Sequence, residues 1–321
     1  MKIKNSKLWL AIAGVCLIAT LIYSNKNSEN KIKKIGITQI IEHDCLDKSR
    51  EGFVEGLLEY GFKDGENIKI DYQNAGGDQS ICNQIANNFV QGKKDLILAI
   101  STPSAQAVSN LTSEIPTLIT AVTDPKSCGL TKQNIAGTSD MVPPEKQINL
   151  IKKLLPNAKN IGILYSSNEV NSQYQANAAA KEAEKLGLKT KDYTVSNSNE
   201  LRQVLEYMAN AVDVVFVPTD NLVVSCMPLV SKYTNENKIP IICSETASVK
   251  NGALATYGID YYELGKLTAK QAAEILNGKK VEDMEIECLN DTKLTLNGEV
   301  AKKLGIEIST DLLKTAEIIG E

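Results

Sequence analysis

Apolar residues along this chain fall into two rhythms that alternate. Short unbroken apolar runs, the mark of strands buried on both faces, stand at Ile35 to Ile40, Leu96 to Ile100, Thr117 to Ala121, Ile161 to Tyr165, Val214 to Val217 and Ile241 to Cys243. Stretches with apolar residues three and four apart lie between them. One places Phe53, Val54, Leu57 and Leu58 within a helix predicted from Leu46 to Tyr60, which Gly61 closes. The same spacing predicts helices at Gln79 to Val90, Ser104 to Leu111, Glu145 to Leu155, Gln173 to Leu186, Glu200 to Ala209, and Leu222 to Glu236 with Pro228 inside it. Alternating patterns at Ile68 to Tyr72 and Lys189 to Tyr193 predict two further strands. From Ala253 onward the pattern gives a strand, a helix from Tyr262 to Leu276, an extended stretch from Met284 to Cys288 and a helix from Gly298 to Leu304.

This programme is written twice. Lys33-Lys34-Ile35-Gly36-Ile37 returns as Lys159-Asn160-Ile161-Gly162-Ile163, and Tyr60-Gly61-Phe62 as Leu186-Gly187-Leu188, with both glycine pairs 126 residues apart. Asp95 to Ile100 is echoed by Asp213 to Val217, and Ile115-Pro116-Thr117 by Ile239-Pro240-Ile241. Strands alternating with helices imply parallel sheets with right-handed crossovers. The expected fold is therefore α/β: two doubly wound parallel-sheet lobes joined by a multi-strand hinge, with an N-terminal apolar helix. Residues 31–143 and about 254–284 are assigned to lobe 1, and residues 144–253 and about 285–321 to lobe 2, with hinges near 141–145 and 250–256.

Residues 1–30 read differently from the rest. Lys2, Lys4 and Lys7 precede an apolar run from Leu8 to Tyr23, after which the chain turns polar at Ser24 to Asn30. That is an export segment followed by a linker. Ala13-Gly14-Val15-Cys16 resembles a lipoprotein cleavage box, but Val15 is large for its position and the apolar run continues past Cys16. An uncleaved membrane anchor fits better, and it places the body outside the cytoplasm. The 321-residue chain as a whole, 43% hydrophobic and 23% charged with a net charge of −4, holds enough apolar residues for two cores. That acidic balance argues against a nucleic-acid partner. Cys45, Cys82, Cys128, Cys226, Cys243 and Cys288 show no C-x-x-C spacing, so they predict no metal site and read best as isolated buried thiols. Six cysteines allow 15 pairings and the sequence does not choose among them; a bridge within a lobe, for example Cys226 to Cys243, is the alternative.

In open parallel sheets ligands bind beyond the carboxyl ends of the strands. Those ends carry Thr38-Gln39, Ser101-Thr102-Pro103-Ser104, Thr123-Asp124-Pro125, Ser166 to Ser172, Pro218-Thr219-Asp220-Asn221 and Ser244-Glu245-Thr246. Nearly all are rich in Ser, Thr, Asp or Asn. Exposed helix starts there suit a carboxylate, and Asp124, Glu169 or Asp220 suits an ammonium, so an amphoteric ligand fits the lining. Aromatics are only 5% of the chain, which makes Tyr165, Tyr257 and Tyr261 near strand ends candidates for stacking on a flat ring. Catalysis has little support: His43, the only histidine, reads as a solvent-facing or helix-start residue, and there is no nucleophile elbow, phosphate loop or dinucleotide fingerprint.

At these loops the sequence resembles the substrate-binding components of ABC transporters of the tryptophan- and tyrosine-binding type. Ile37-Thr38-Gln39-Ile40 with Glu42-His43, Thr102-Pro103-Ser104-Ala105-Gln106, Ala121-Val122-Thr123-Asp124-Pro125, Gly137-Thr138-Ser139-Asp140, Pro218-Thr219-Asp220-Asn221 and Gly252 to Tyr261 carry the resemblance. It implies a type I periplasmic-binding fold that closes over a small molecule, most simply an aromatic amino acid, and presents it to an ABC permease and its ATPase, with no cofactor. The cleft residues it implies are Gln39, Thr102, Ser104, Thr123, Asp124, Ser167, Glu169, Asn171, Ser172, Thr219, Asp220, Asn221 and Tyr257. Two departures stand out: the family commonly has Pro-Ala after the histidine where this chain has Asp44-Cys45, and Ser127-Cys128 replaces small residues. The alternative function is a tethered receptor of the same fold that signals to a partner.

Overall fold

The structure, a computed structural model, describes residues 32–289 and 291–320. Its strands are β1 (Lys33–Gln39), β2 (Ile68–Asn74), β3 (Leu96–Ile100), β4 (Thr117–Val122), β5 (Ile135–Ser139), β6 (Asn160–Ser166), β7 (Lys189–Val195), β8 (Val214–Val217), β9 (Ile241–Cys243), β10 (Ala255–Gly258), β11 (Ile286–Cys288), β12 (Lys293–Asn297) and β13 (Ala316–Ile319). They form two sheets. The first, ordered β11-β5-β4-β3-β1-β2, is parallel throughout. The second, ordered β13-β12-β10-β9-β8-β6-β7, is parallel except where β12 runs antiparallel to β10. Since β2-β1-β3-β4-β5 and β7-β6-β8-β9-β10 share one order, the repeat in the sequence is a repeat of topology. In each half the order reverses beside the first strand, and loops diverge there to leave a crevice.

Every residue of β3 and β4 is buried, as expected where helices cover both faces of a parallel sheet. Phe53, Phe89 and Leu98 belong to the first lobe's core, while the second lobe has one core around Phe216 and Ile242 and another around Val215 and Met227. Helix starts are fixed by side chains: Asp78 accepts from the amides of Ser80 and Ile81, Asp260 from those of Tyr262 and Glu263, and Asn297 from that of Val300.

Several elements differ from expectation for local reasons. The helix predicted from Leu222 to Glu236 is two helices, Asn221–Ser225 and Met227–Glu236, because Pro228 lacks an amide hydrogen and sits in the first turn of the second. Strand β5 carries no strong pattern and was not predicted. Its Gly137 has φ +130°, and a Cβ there would meet Ile119 O at 2.1 Å, where the β4–β5 register shifts. Strands β12 and β13 and the helices Thr246–Lys250 and Thr310–Leu313 are likewise too short to show a period.

The chain passes between the sheets three times, within 140–143, 259–260 and 289–292. Two boundaries therefore shift: β10 pairs in the second sheet, where lobe 1 was expected to resume at 254, and β11 pairs in the first, where lobe 2 was expected from 285. The crossings are tied to one another. The Tyr261 hydroxyl donates to Asp140 at 2.9 Å, the Gln147 side chain bonds the Tyr257 carbonyl and amide at 2.7 and 3.1 Å, and Lys146 donates to Thr292 at 2.7 Å. The expected export segment lies outside the described residues, and among those described no helix is long and apolar enough to cross a membrane.

The second crossing delivers the helix Tyr261–Leu276 onto the first lobe, against the helix Asp44–Glu59. Backbones touch there: a Cβ on Gly52 would lie 2.0 Å from Tyr262 O, and one on Gly265 would lie 2.0 Å from Ser49 O. Overpacking of this kind costs about 1–3 kcal/mol or more. Gly265→Val is expected to lower the thermal midpoint by several degrees, and an unchanged midpoint in differential scanning calorimetry would count against this contact as the anchor of the carboxy-terminal half.

Candidate functional site

The polar carboxyl ends of the strands from both lobes meet in one seam. Gln39, the last residue of β1, is buried, with its Nε2 donating to the Ile41 carbonyl at 2.8 Å and to Asp47 at 3.0 Å while its Oε1 has no partner. After β3, Ser101 precedes the helix Thr102–Leu111 but makes no capping bond and has φ +83°. A non-glycine residue in that region costs about 1–3 kcal/mol, which points to a use for the conformation beyond folding. The hydroxyls of Ser101 and Thr102 are both buried without partners. Ser104, one turn on, is buried with its hydroxyl 3.7 Å from Cys82 Sγ. After β4, Thr123 Oγ1 accepts from Gln175 Nε2 of the second lobe at 3.0 Å.

The second lobe supplies the opposite wall. Asn171 Nδ2 and Ser172 Oγ donate to the Thr219 carbonyl at 2.8 and 3.0 Å, leaving Asn171 Oδ1 buried and unpaired. Gln175 Oε1 lies within 3.4 Å of Thr219 N, Thr219 Oγ1 and Ser244 Oγ, so one side chain ties two loops of this lobe to the first. Asn221 donates to Glu169 through its side chain and sits 3.4 Å from His43 Nε2 across the seam. A cavity of about 810 Å³ opens here, lined by Ile40, Gln79 and Pro103 from one lobe and by Ser166, Glu169 and Asn221 from the other.

The electrostatics are one-sided. Asp140, Glu169, Asp220 and Glu245 are all buried, whereas no Lys or Arg is buried among the described residues. Asp220 is satisfied by the backbone: Ser166 N donates at 2.6 Å and Val223 N at 2.8 Å, so it braces β6 and caps the next helix. Glu169 accepts from the amides of Asn221 and Leu222, each at 3.1 Å. Asp140 Oδ1 and Glu245 Oε2 have no partner. Burial pushes all four carboxyls above the ordinary range, and for Glu169 the Asp220 carboxyl adds to it. Burial pulls His43 down to about 4, against Asn221 and the Asp47 and Asp44 carboxylates, so at neutral pH the imidazole is uncharged.

The expected residues divide in their placement. Gln39, Thr102, Ser104, Thr123, Glu169, Asn171, Ser172, Thr219, Asp220 and Asn221 come together at the seam. Ser167 is exposed and bonds the Val195 carbonyl, and Asp124 caps its own turn by accepting from Ser127 N at 2.7 Å. Tyr257 is half-buried where the cores of the two lobes meet, nearer the hinge. His43, expected as a solvent-facing or helix-start residue, does begin the helix Asp44–Glu59 but is not solvent-facing: its side chain is only 5% exposed, because the second lobe covers that helix start. Asp140, Gln175 and Glu245 were not on the expected list. Gln175 lies inside an ordinary helix and carries no local signal, Glu245 stands in a loop whose polarity did flag it, and Asp140 stood only in a stretch that carries the family resemblance. All six cysteines among the described residues are free, Cys226 and Cys243 included.

Two opposed lobes with an enclosed polar seam define a solute-binding protein. The family model of ABC transporter substrate binding proteins matches residues 34–319, and the chain belongs to that family. It is 45% identical to the tyrosine-binding protein of Clostridioides difficile over 97% of this chain and 96% of that relative. Its fold superposes with a TM-score of 0.87 on an ABC domain from Streptococcus pneumonia in complex with L-Trp, 37% identical, covering 90% of this chain and 100% of that one. Against a ligand-free, open substrate binding protein with adhesive properties from Clostridium difficile, the TM-score is 0.68 despite 46% identity, covering 90% and 99%. Family and relatives alike indicate a binding protein rather than an enzyme.

The raised Glu169 gives a pH prediction with a definite sign. The folded state holds its proton more tightly than the unfolded chain, whose glutamates titrate near about 4.3, so this contribution is complete below about 4.3 and fades as pH rises through the raised value. The loss of thermal stability from pH 5 to pH 9 is expected to be smaller in Glu169→Gln than in the parent; equal slopes would show that Glu169 ionises freely.

Proposed function

We propose that this chain captures a free aromatic amino acid outside the cytoplasm and delivers it to an ABC permease and its ATPase, closing its lobes around the ligand. The carrying observation is the seam itself: unpaired hydroxyls at a helix start together with unpaired carboxyl and amide oxygens, and no buried Lys or Arg among the described residues. An amino acid supplies both missing partners. Its carboxylate suits the Ser101 and Thr102 hydroxyls and the first amides of the ten-residue helix Thr102–Leu111, where the helix dipole favours an anion. Its ammonium suits Asp140 Oδ1 and Asn171 Oδ1, each otherwise a buried acceptor left at a cost of about 1–3 kcal/mol.

Within the same reading, Asn221 lines the cavity, Gln39, Ser104, Ser172 and Thr219 back the seam behind it, Glu169 and Asp220 hold the second-lobe loops, and Thr123 and Gln175 latch the lobes. Tyr257 offers a ring surface toward the hinge. The tyrosine and tryptophan named for the two relatives support an aromatic side chain. Closure is supported by the better superposition on the L-Trp complex than on the more similar open structure, since the lobes here touch through Gln175–Thr123 and His43–Asn221. Only a closed arrangement brings both walls to one ligand, so binding shifts the population toward it.

Isothermal titration of the full chain with tyrosine and with tryptophan is expected to show one site. Thr102→Val and Asp140→Asn should each weaken it at least tenfold, about 1.4 kcal/mol, and small-angle scattering should show contraction on saturation. Failure to bind either amino acid, or undiminished affinity in both variants, would sink the assignment.

A further inference from the structure

We infer that His43, Cys45 and Glu245 form a site for one divalent cation of the zinc class, bridging the two lobes within the seam. The three donor atoms lie within 4.8 Å of one another. His43 and Cys45 come from the start of the helix Asp44–Glu59 in the first lobe, and Glu245 from the loop after β9 in the second. All three side chains are buried, at 5% exposed for His43, 4% for Cys45 and 2% for Glu245.

Two of the donors have nothing else to do. His43 Nδ1 and Glu245 Oε2 are buried without hydrogen-bond partners, and at 3.9 Å they are too far apart to bond one another. Both residues stand where a helix begins, a position that usually turns its side chain onto the backbone, yet neither makes a capping bond. Ligand atoms around a tetrahedral zinc lie roughly 3.3–3.7 Å apart at bond lengths of about 2.0–2.3 Å, so a cation between these atoms needs only a small contraction. Imidazole nitrogen, thiolate sulfur and carboxylate oxygen form a mixed set of borderline softness, which favours zinc over calcium or magnesium. His43 Nε2 faces Asn221 Oδ1 at 3.4 Å, an outer contact that leaves Nδ1 directed to the metal. A cation also answers the excess of buried carboxyls over buried cationic side chains.

Sequence reasoning missed the cluster because Glu245 is 200 residues from Cys45, and because the thiol stands at one of the two departures from the family pattern. Three protein donors leave a fourth position open to water or to a ligand atom. Since the donors come from both lobes, the metal favours the closed arrangement, which it binds and the open one does not. The site shares the seam with the proposed amino acid but uses none of its contacts, leaving Asp140 and Asn171 for that ligand.

The test is a zinc titration of the full chain with thiols reduced and no amino acid present. Native mass spectrometry should show one Zn²⁺ per chain. Competition titration should give an affinity at least tenfold weaker in both Cys45→Ala and Glu245→Gln, with circular dichroism verifying that each variant is folded. Cobalt(II) should give thiolate-to-metal charge-transfer absorption that Cys45→Ala abolishes and Cys288→Ser, at the exposed cysteine, retains. Absence of stoichiometric zinc, or zinc that survives Cys45→Ala and is lost in Cys288→Ser, would overturn the site. Amino-acid titration in the presence of chelator separates the two readings: ligand binding without any zinc site removes this inference alone, and zinc binding without amino-acid binding removes the other alone.

Discussion

Four buried carboxyl groups share a seam between two lobes while no lysine or arginine is buried among the described residues, and much of the molecule is organised to make that tolerable. Desolvating a carboxylate is expensive unless donors or a cation replace the water. Asp220 and Glu169 take backbone amides, which also fixes the loops that present Asn171, Thr219 and Asn221. Asp140 takes the Tyr261 hydroxyl on one oxygen, and Glu245 keeps one oxygen free. The unanswered remainder sets the ligand chemistry: a seam acidic on balance, with a helix start on its opposite side, selects something that carries both a cation and an anion.

Lobes that must open to admit such a ligand cannot be welded together, yet they must return to the same register. The three crossings meet both demands. Asp140–Tyr261, Gln147–Tyr257 and Lys146–Thr292 bind the connecting segments to each other, while the direct latches between the lobes are few and polar. Polar contacts exchange readily with water, so separating them costs little compared with separating an apolar interface. The apolar holding force sits elsewhere, within each lobe's own core and in the backbone contact of Gly52 and Gly265 that fastens the helix of the second crossing to the first lobe. Tyr257, packed against both cores, marks where hinge and hydrophobic interior join.

Much of this was legible in the chain. Unbroken apolar runs between helical periods gave the parallel strands β3, β8 and β9 at their observed bounds, and the paired glycines 126 residues apart gave the two matching lobes. The rule that ligands gather at strand ends picked out loops that do converge, from Gln39 and Thr102 to Asn171 and Asn221. Where local patterns were weak the elements were lost: Gly137 hides β5, and Pro228 divides a continuous helical period. Residue types alone also could not separate Ser167 and Asp124, which serve their own turns, from neighbours of the same type that face the seam.

Periodicity, turn residues and repetition are properties of neighbours along the chain, and they fix which segments become strands or helices and which ends carry polar loops. Which side chains remain unpaired once the lobes meet is a property of pairs from about fifty to two hundred residues apart. His43 faces Asn221 and Glu245, Gln175 reaches Thr123, and Tyr261 reaches Asp140 only because the chain crosses between its sheets three times. Burial then decides their charge states, and burial exists only in the assembled molecule.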